Sequence, residues 1–127
     1  MAQQPLNQYK TIAEVVPTTN AGIYTTRTGY TSIVLYAQVA NTGSGIGTVS
    51  FYHERDKRES NGSITTTTTE LIYQAQVPPN DALILLDGRL VLEKTAVKTD
   101  RLKMVGISST SPNHLKYTVS ILETLNQ

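Results

Sequence analysis

The stretch Ala82-Leu83-Ile84-Leu85-Leu86-Asp87-Gly88-Arg89-Leu90-Val91-Leu92-Glu93 constrains this chain more than any other segment. An Asp-Gly pair between two apolar runs is a strong hairpin signal. The type I′ turn needs positive φ at both central residues, which Gly adopts freely and Asp tolerates better than most. A two-residue loop at 87–88 pairs Leu86 with Arg89, Leu85 with Leu90, Ile84 with Val91, Leu83 with Leu92 and Ala82 with Glu93. Side chains alternate faces along a strand, so Leu83, Leu85, Leu90 and Leu92 form one leucine face suited to a core. Ile84, Leu86 and Val91 fall on the other face, apolar in its middle and charged at its ends. Such a surface is one that another layer or another subunit covers.

Residues 9–16, 23–26, 31–39 and 48–55 are strand candidates. In 31–39, Ile33, Leu35, Ala37 and Val39 share one face. In 48–55, Val49, Phe51 and His53 do so, with Tyr52 opposite. A mixed-charge loop, 54–63, contains an Asn61-Gly62 turn. Residues 64–77 read as one long strand or two in line. The threonines of 65–69 cover both faces of its first half, which marks an exposed or edge segment. In its second half Leu71, Tyr73, Ala75 and Val77 alternate with polar residues. Pro78-Pro79 breaks the ladder, and residues 95–100 suit a loop or a single helical turn. Strands at 101–108 and 115–121 follow, the latter with Leu115, Tyr117, Val119 and Ile121 on one side. About eight strands without a convincing amphipathic helix predict an all-β antiparallel β-sandwich or jelly roll, with a closed small barrel as the alternative. Residues 1–8 are expected to be a flexible N-terminal arm and 9–127 a single domain.

Little in the chain suggests chemistry. Cysteine is absent, which excludes thiolate catalysis and cysteine-ligated metal. The two histidines, His53 and His114, stand far apart. His53-Glu54-Arg55-Asp56-Lys57 begins like a zincin motif, but Lys57 occupies the place of the second histidine. The glycine-rich 43–47 lacks the Lys-Ser/Thr and the following helix of a phosphate loop, and reads as a mobile hairpin tip. No catalytic residue, cofactor site or metal site is therefore expected. The net charge of +1 and the interruption of Lys94, Lys98, Arg101 and Lys103 by acidic residues argue against nucleic acid. No apolar run reaches the 18 residues of a membrane span, and no secretory signal is visible at the start. The tyrosines are dispersed; those in strand patterns suit a sheet margin or an interface.

Residues 77–83, the 86–93 segment Leu-Asp-Gly-Arg-Leu-Val-Leu-Glu and the terminal Thr118-Val119-Ser120-Ile121-Leu122-Glu123 together resemble small virion structural proteins of tailed bacteriophages. Residues 23–26 and 31–41 are similar to amino-terminal segments of such proteins. The sequence departs from the pattern at Lys98-Thr99-Asp100-Arg101, where a Gly-Asp turn is usual. The resemblance implies a β-sandwich subunit of the virion that works by multimeric attachment, as a capsid decoration (cement) protein or as a neck or tail component. Its partners would be other copies of itself and other virion proteins. Ile84, Leu86 and Val91 are the expected interface residues, with Tyr36 and Tyr52 as further candidates. A carbohydrate- or receptor-binding β-sandwich is the competing expectation; it requires a tyrosine cluster beside a polar pocket.

Overall fold

The computed structural model describes residues 7–108 and 114–125. They form eight strands: β1 (Asn7–Val15), β2 (Ala21–Thr25), β3 (Tyr30–Asn41), β4 (Gly47–Arg58), β5 (Ile64–Val77), β6 (Asp81–Glu93), β7 (Lys98–Ser108) and β8 (Leu115–Leu125). Asn7 and Gln8 are strand residues, so the expected arm does not reach them; residues 1–6 lie outside the described residues.

The architecture is a long antiparallel hairpin rolled into two sheets. Its tip is the Glu59–Ser63 turn, where the Glu59 N–H donates to the Ser63 carbonyl and Gly62 takes φ +89°. From that tip β4 pairs with β5, β3 with β6, β2 with β7 and β1 with β8. Rolling adds the β3–β8 and β4–β7 pairings. Sheet A then has the order β1-β8-β3-β6 and sheet B the order β2-β7-β4-β5. This is a jelly roll. All ladders are antiparallel and none joins the two sheets, so the structure is a sandwich and not a closed barrel.

The expected hairpin at Asp87-Gly88 does not exist. β6 runs straight through it as a single 13-residue strand. Among the described residues, positive φ outside glycine occurs only at Gln74 and Asn80, so Asp87 lacks the I′ conformation. The reason is the partner: β3 pairs from Thr31 with Glu93 to Asn41 with Asp81, and only an unbroken β6 satisfies its length. The glycine is used within the strand. Gly88, at φ +149°, lies where two β6 residues pass the single residue Leu35. The 43–47 segment is likewise no hairpin tip, because it carries the chain from sheet A to sheet B. Asn41 pins it, donating from Nδ2 to the Gly45 and Val77 carbonyls and accepting the Gly43 N–H at Oδ1.

β-bulges decide which side chains enter the core. In β6 an extra residue at Leu85 separates the Ala37–Leu86 pair from the Gln38–Ile84 pair. The bulge shifts the alternation by one. Leu83 before it, Leu85 itself, and Leu86, Leu90 and Leu92 after it all pack into the core. In β3 a bulge at Leu35 buries Val34, Ala37 and Val39 and turns Ile33 outward, against the expected face. In β5 the two residues Tyr73 and Gln74 pass the single Ser50, whose Oγ accepts the Gln74 N–H, and Tyr73 is left exposed. β8 and β7 have no bulge against β4 or β1 and follow simple alternation: Leu115, Tyr117, Val119 and Ile121 are buried, as are Leu102 and Met104.

At one end of the sandwich two glycines admit bulky neighbours. A Cβ on Gly47 would stand 2.5 Å from Leu115 Cδ2, and one on Gly106 would stand 2.6 Å from Val16 Cγ1. Gly106→Ala is expected to cost about 1–3 kcal/mol, the usual penalty of overpacking, read as a lower urea midpoint with an unchanged m-value. A midpoint equal to that of the parent would show that Val16 yields freely.

Candidate functional site

Directly opposed residues in antiparallel strands share a face, with Cβ atoms about 5 Å apart. The register therefore maps the outer face of sheet A row by row. Tyr9 opposes Leu122, Leu122 opposes Ile33, and Ile33 opposes Val91. These four side chains form an apolar row across all four strands, about 14 Å wide. The next row is Thr11, Ser120, Tyr36 and Asp87; the one after it is Ala13, Thr118, Gln38 and Ile84. Tyr9 is 76% exposed, Ile84 52% and Val91 48%, while Ile33 and Leu122 are half-buried. The Tyr36 hydroxyl donates to Gln38 Oε1 at 2.8 Å, which orients its ring over this face.

The expected interface residues thus separate. Ile84, Val91 and Tyr36 lie on the outer face of sheet A. Leu86 does not: it opposes the buried Ala37 and packs into the core, because the Leu85 bulge replaces the hairpin that would have turned it out. Tyr52 lies on the outer face of the other sheet, opposing Lys103 and Glu70. Tyr9, Ile33 and Leu122 complete the apolar row and were not expected there. Leu122 was legible by extending the 116-118-120 alternation; Ile33 was hidden by the Leu35 bulge.

The outer face of sheet B is of opposite character. Arg101 on β7 bridges Glu54 and Asp56 on β4, Lys103 Nζ lies 3.4 Å from Glu54 Oε2, and Thr66 and Thr68 of β5 donate to Asp56 and Glu54. Burial opposes ionisation of Glu54, but bonds from Arg101, Thr68 and Lys103 hold its carboxyl below the ordinary value. Arg101 and Thr66 lower that of Asp56. The basic residues Arg101 and Lys103 are thus neutralised by acidic neighbours. Beside this network, Tyr52 and Tyr73 line a depression of about 150 Å3 with Thr48, Ser50 and Gln74. The β5 bulge brings these two tyrosines together, a grouping their spacing does not reveal.

Two buried carboxylates tie the layers. Asp100, fully buried, accepts from Arg55 Nε (2.6 Å) and Nη2 (2.8 Å) and from the Glu93 N–H (2.8 Å), so it links β7, β4 and β6. His53 Nε2 is 3.4 Å from Asp100 Oδ1 but lies outside hydrogen-bonding geometry. Burial pushes the Asp100 carboxyl up; the Arg55 guanidinium and the Glu93 N–H outweigh it and hold it below the ordinary value. Glu123 accepts from the Tyr24 hydroxyl across the sheets and pairs with Arg27 at 3.2 Å. Burial and then Glu123 push the Tyr24 hydroxyl well above its ordinary range. Among the described residues, no three His, Cys, Asp or Glu side chains gather as a metal site. His53 points inward and Glu54 outward from β4, so the zincin-like string has no common face.

No protein-family model and no curated protein sequence matches this chain. Among solved structures it is similar to a chain of the T13 particle of infectious bursal disease virus, at 8% identity and TM-score 0.47, over 96% of this chain and 32% of that one. It is similar to a Bacillus endospore appendage of a family of disulfide-linked pili, at 11% identity and TM-score 0.42, over 95% and 88% of the two chains. A xylan-binding domain from Paenibacillus barcinonensis aligns at 14% identity and TM-score 0.33, over 80% and 58%. The chain spans about a third of the length of the virus chains it matches. The jelly-roll assignment rests on the strand order itself.

Proposed function

We propose that this chain is a non-enzymatic structural subunit of a tailed-bacteriophage virion, a capsid decoration (cement) protein attached in multiple copies to the head. The observation that carries the reading is the apolar row Tyr9, Leu122, Ile33 and Val91, with Ile84 two rows away, on an outward sheet face. Binding by such a face needs no reactive group: covering apolar surface contributes about 25 cal/mol per Å2. The resemblance of the 86–93 and 118–123 segments to virion proteins supports the setting, with major capsid protein and further copies of this chain as partners. Nucleic acid and membrane have no role in it.

Imaging of purified particles with the labelled subunit tests the reading. Density on the head lattice supports it. Density confined to the neck or tail replaces decoration with a connector role, and absence from particles overturns the virion reading. Ile84→Asp places a charge on the exposed face and is expected to weaken head binding at least tenfold while leaving the thermal midpoint unchanged. Unfolding by this substitution would show residue 84 to be core.

A second reading is favoured by the Tyr52–Tyr73 depression, whose aromatic rings and Gln, Ser and Thr groups suit a carbohydrate. Glycan-array binding that Tyr73→Ala abolishes would support it; an array without signal would remove it.

A further inference from the structure

Four strands edge the sheets: β1 and β6 in sheet A, β2 and β5 in sheet B. An edge strand offers a row of unpaired N–H and C=O groups, and proteins blunt such rows with charge, bulges, proline or shortness. β1 carries Lys10 and Glu14. β6 has two register breaks and the charges Asp87 and Arg89. β2 has five residues and a break between Gly22 and Tyr24. The second half of β5 is broken twice, between the partners of Val49 and Tyr52. Its first half is different. Residues 64–69 keep unbroken register against 58–53, are exposed on both faces, and contain neither charge nor proline.

We propose that this segment is a self-pairing edge, through which two copies of the chain join β5 to β5 about a two-fold axis centred on Thr67. The axis sets Thr67 opposite its own copy, Thr65 opposite Thr69 and Thr66 opposite Thr68, and fuses the two B sheets into one eight-stranded sheet. Cross-strand threonine pairs are favourable, and no like charges meet within the run of threonines. Glu70, next to the run on β5, is set opposite Ile64 of the copy and stands about 20 Å from its own counterpart, six residues along the strand. Glu54 and Asp56 stand one strand inward and are paired with Arg101. They lie about 14 Å from their counterparts, three strand spacings, beyond the screening length of about 8 Å at physiological salt. A second copy fits this edge better than a charged partner, because a neutral threonine run offers such a partner no charge to complement. The contact uses sheet B and is independent of the virion reading, which uses the outer face of sheet A.

Sedimentation of the full chain tests the proposal. The parent is expected to dimerise, and Thr67→Lys, which sets two lysines opposite each other across the axis, is expected to weaken dimerisation at least tenfold with an unchanged circular dichroism spectrum. Ile84→Asp is expected to leave this dimer intact. The chain has no cysteine, so Thr67→Cys is expected to give an oxidised dimer on a non-reducing gel, while the exposed control Ile107→Cys does not. A parent that is monomeric at every concentration overturns the proposal. So does a Thr67→Lys variant that dimerises as the parent does, or Thr67→Cys cross-linking no better than the control. If Thr67→Lys fails to fold, the cysteine pair alone decides.

Discussion

Asp100→Ala is expected to destabilise the fold by about 3 kcal/mol, the low end of the cost of removing one partner from a buried ion pair. The low end applies because the Arg55 side chain keeps 34% exposure and regains some hydration. The variant also leaves the Glu93 N–H without its acceptor. Urea unfolding at pH 7 measures the loss, and the double variant Asp100→Ala/Arg55→Ala is expected to recover part of it by removing the stranded charge. The same carboxylate gives the protein an acid limit. Its folded value lies below the ordinary 3.8, so the pair's stabilisation is fully present above about pH 4 and is lost as pH falls through the folded value. Asp100→Asn, which does not ionise, is expected to flatten stability against pH below about pH 4. An unchanged acid slope would show that Glu54 and Asp56 carry the effect.

Phe51→Ala is expected to be the most damaging single truncation, at about 3–5 kcal/mol. Phe51 is the only phenylalanine in a chain without tryptophan, and it is fully buried. It sits on β4, paired with Met104 on one side and Ile72 on the other, at the centre of sheet B. A loss of this size is a large share of the 5–15 kcal/mol that holds a domain together, and thermal unfolding is expected to shift down by on the order of 10–20 °C. A shift of only a few degrees would mean that Met104 and the β5 bulge region repack.

The contrast between two turn signals shows how far the chain can be read unaided. Asp87-Gly88 and Asn61-Gly62 carry the same local chemistry, yet one lies inside a strand and the other forms the tip on which the fold turns. Turn propensity is a property of a few residues, whereas the choice between them depended on the 12-residue length of β3, which needs all of β6 beside it. Extra residues in the strands act in the same way. Leu35, Leu85 and the Tyr73–Gln74 pair each shift the two-residue period, so Ile33 moved outward, Leu86 inward and Tyr73 into solvent. Extra residues of this kind are defined only against the partner strand and leave no mark in the alternation of one strand. The residues offered for an interface were affected in the same way: three of them share a face, and Tyr52 lies on the other sheet beside a tyrosine that only a bulge brings to it.

By itself the sequence determined that the chain is all-β, about where seven of its eight strands lie, that 64–69 is an exposed edge and which side chains of β8 share a face. Alternation, threonine content and turn residues act over a few neighbours and can be read there. The tertiary structure alone decided that the chain rolls from a tip at 59–63, which strands lie side by side, and that an apolar row crosses the outside of sheet A. Those features arise from pairing between residues as far apart as Tyr9 and Leu122. Backbone hydrogen bonding forces each strand to match its neighbour's length and register, whatever its own pattern prefers.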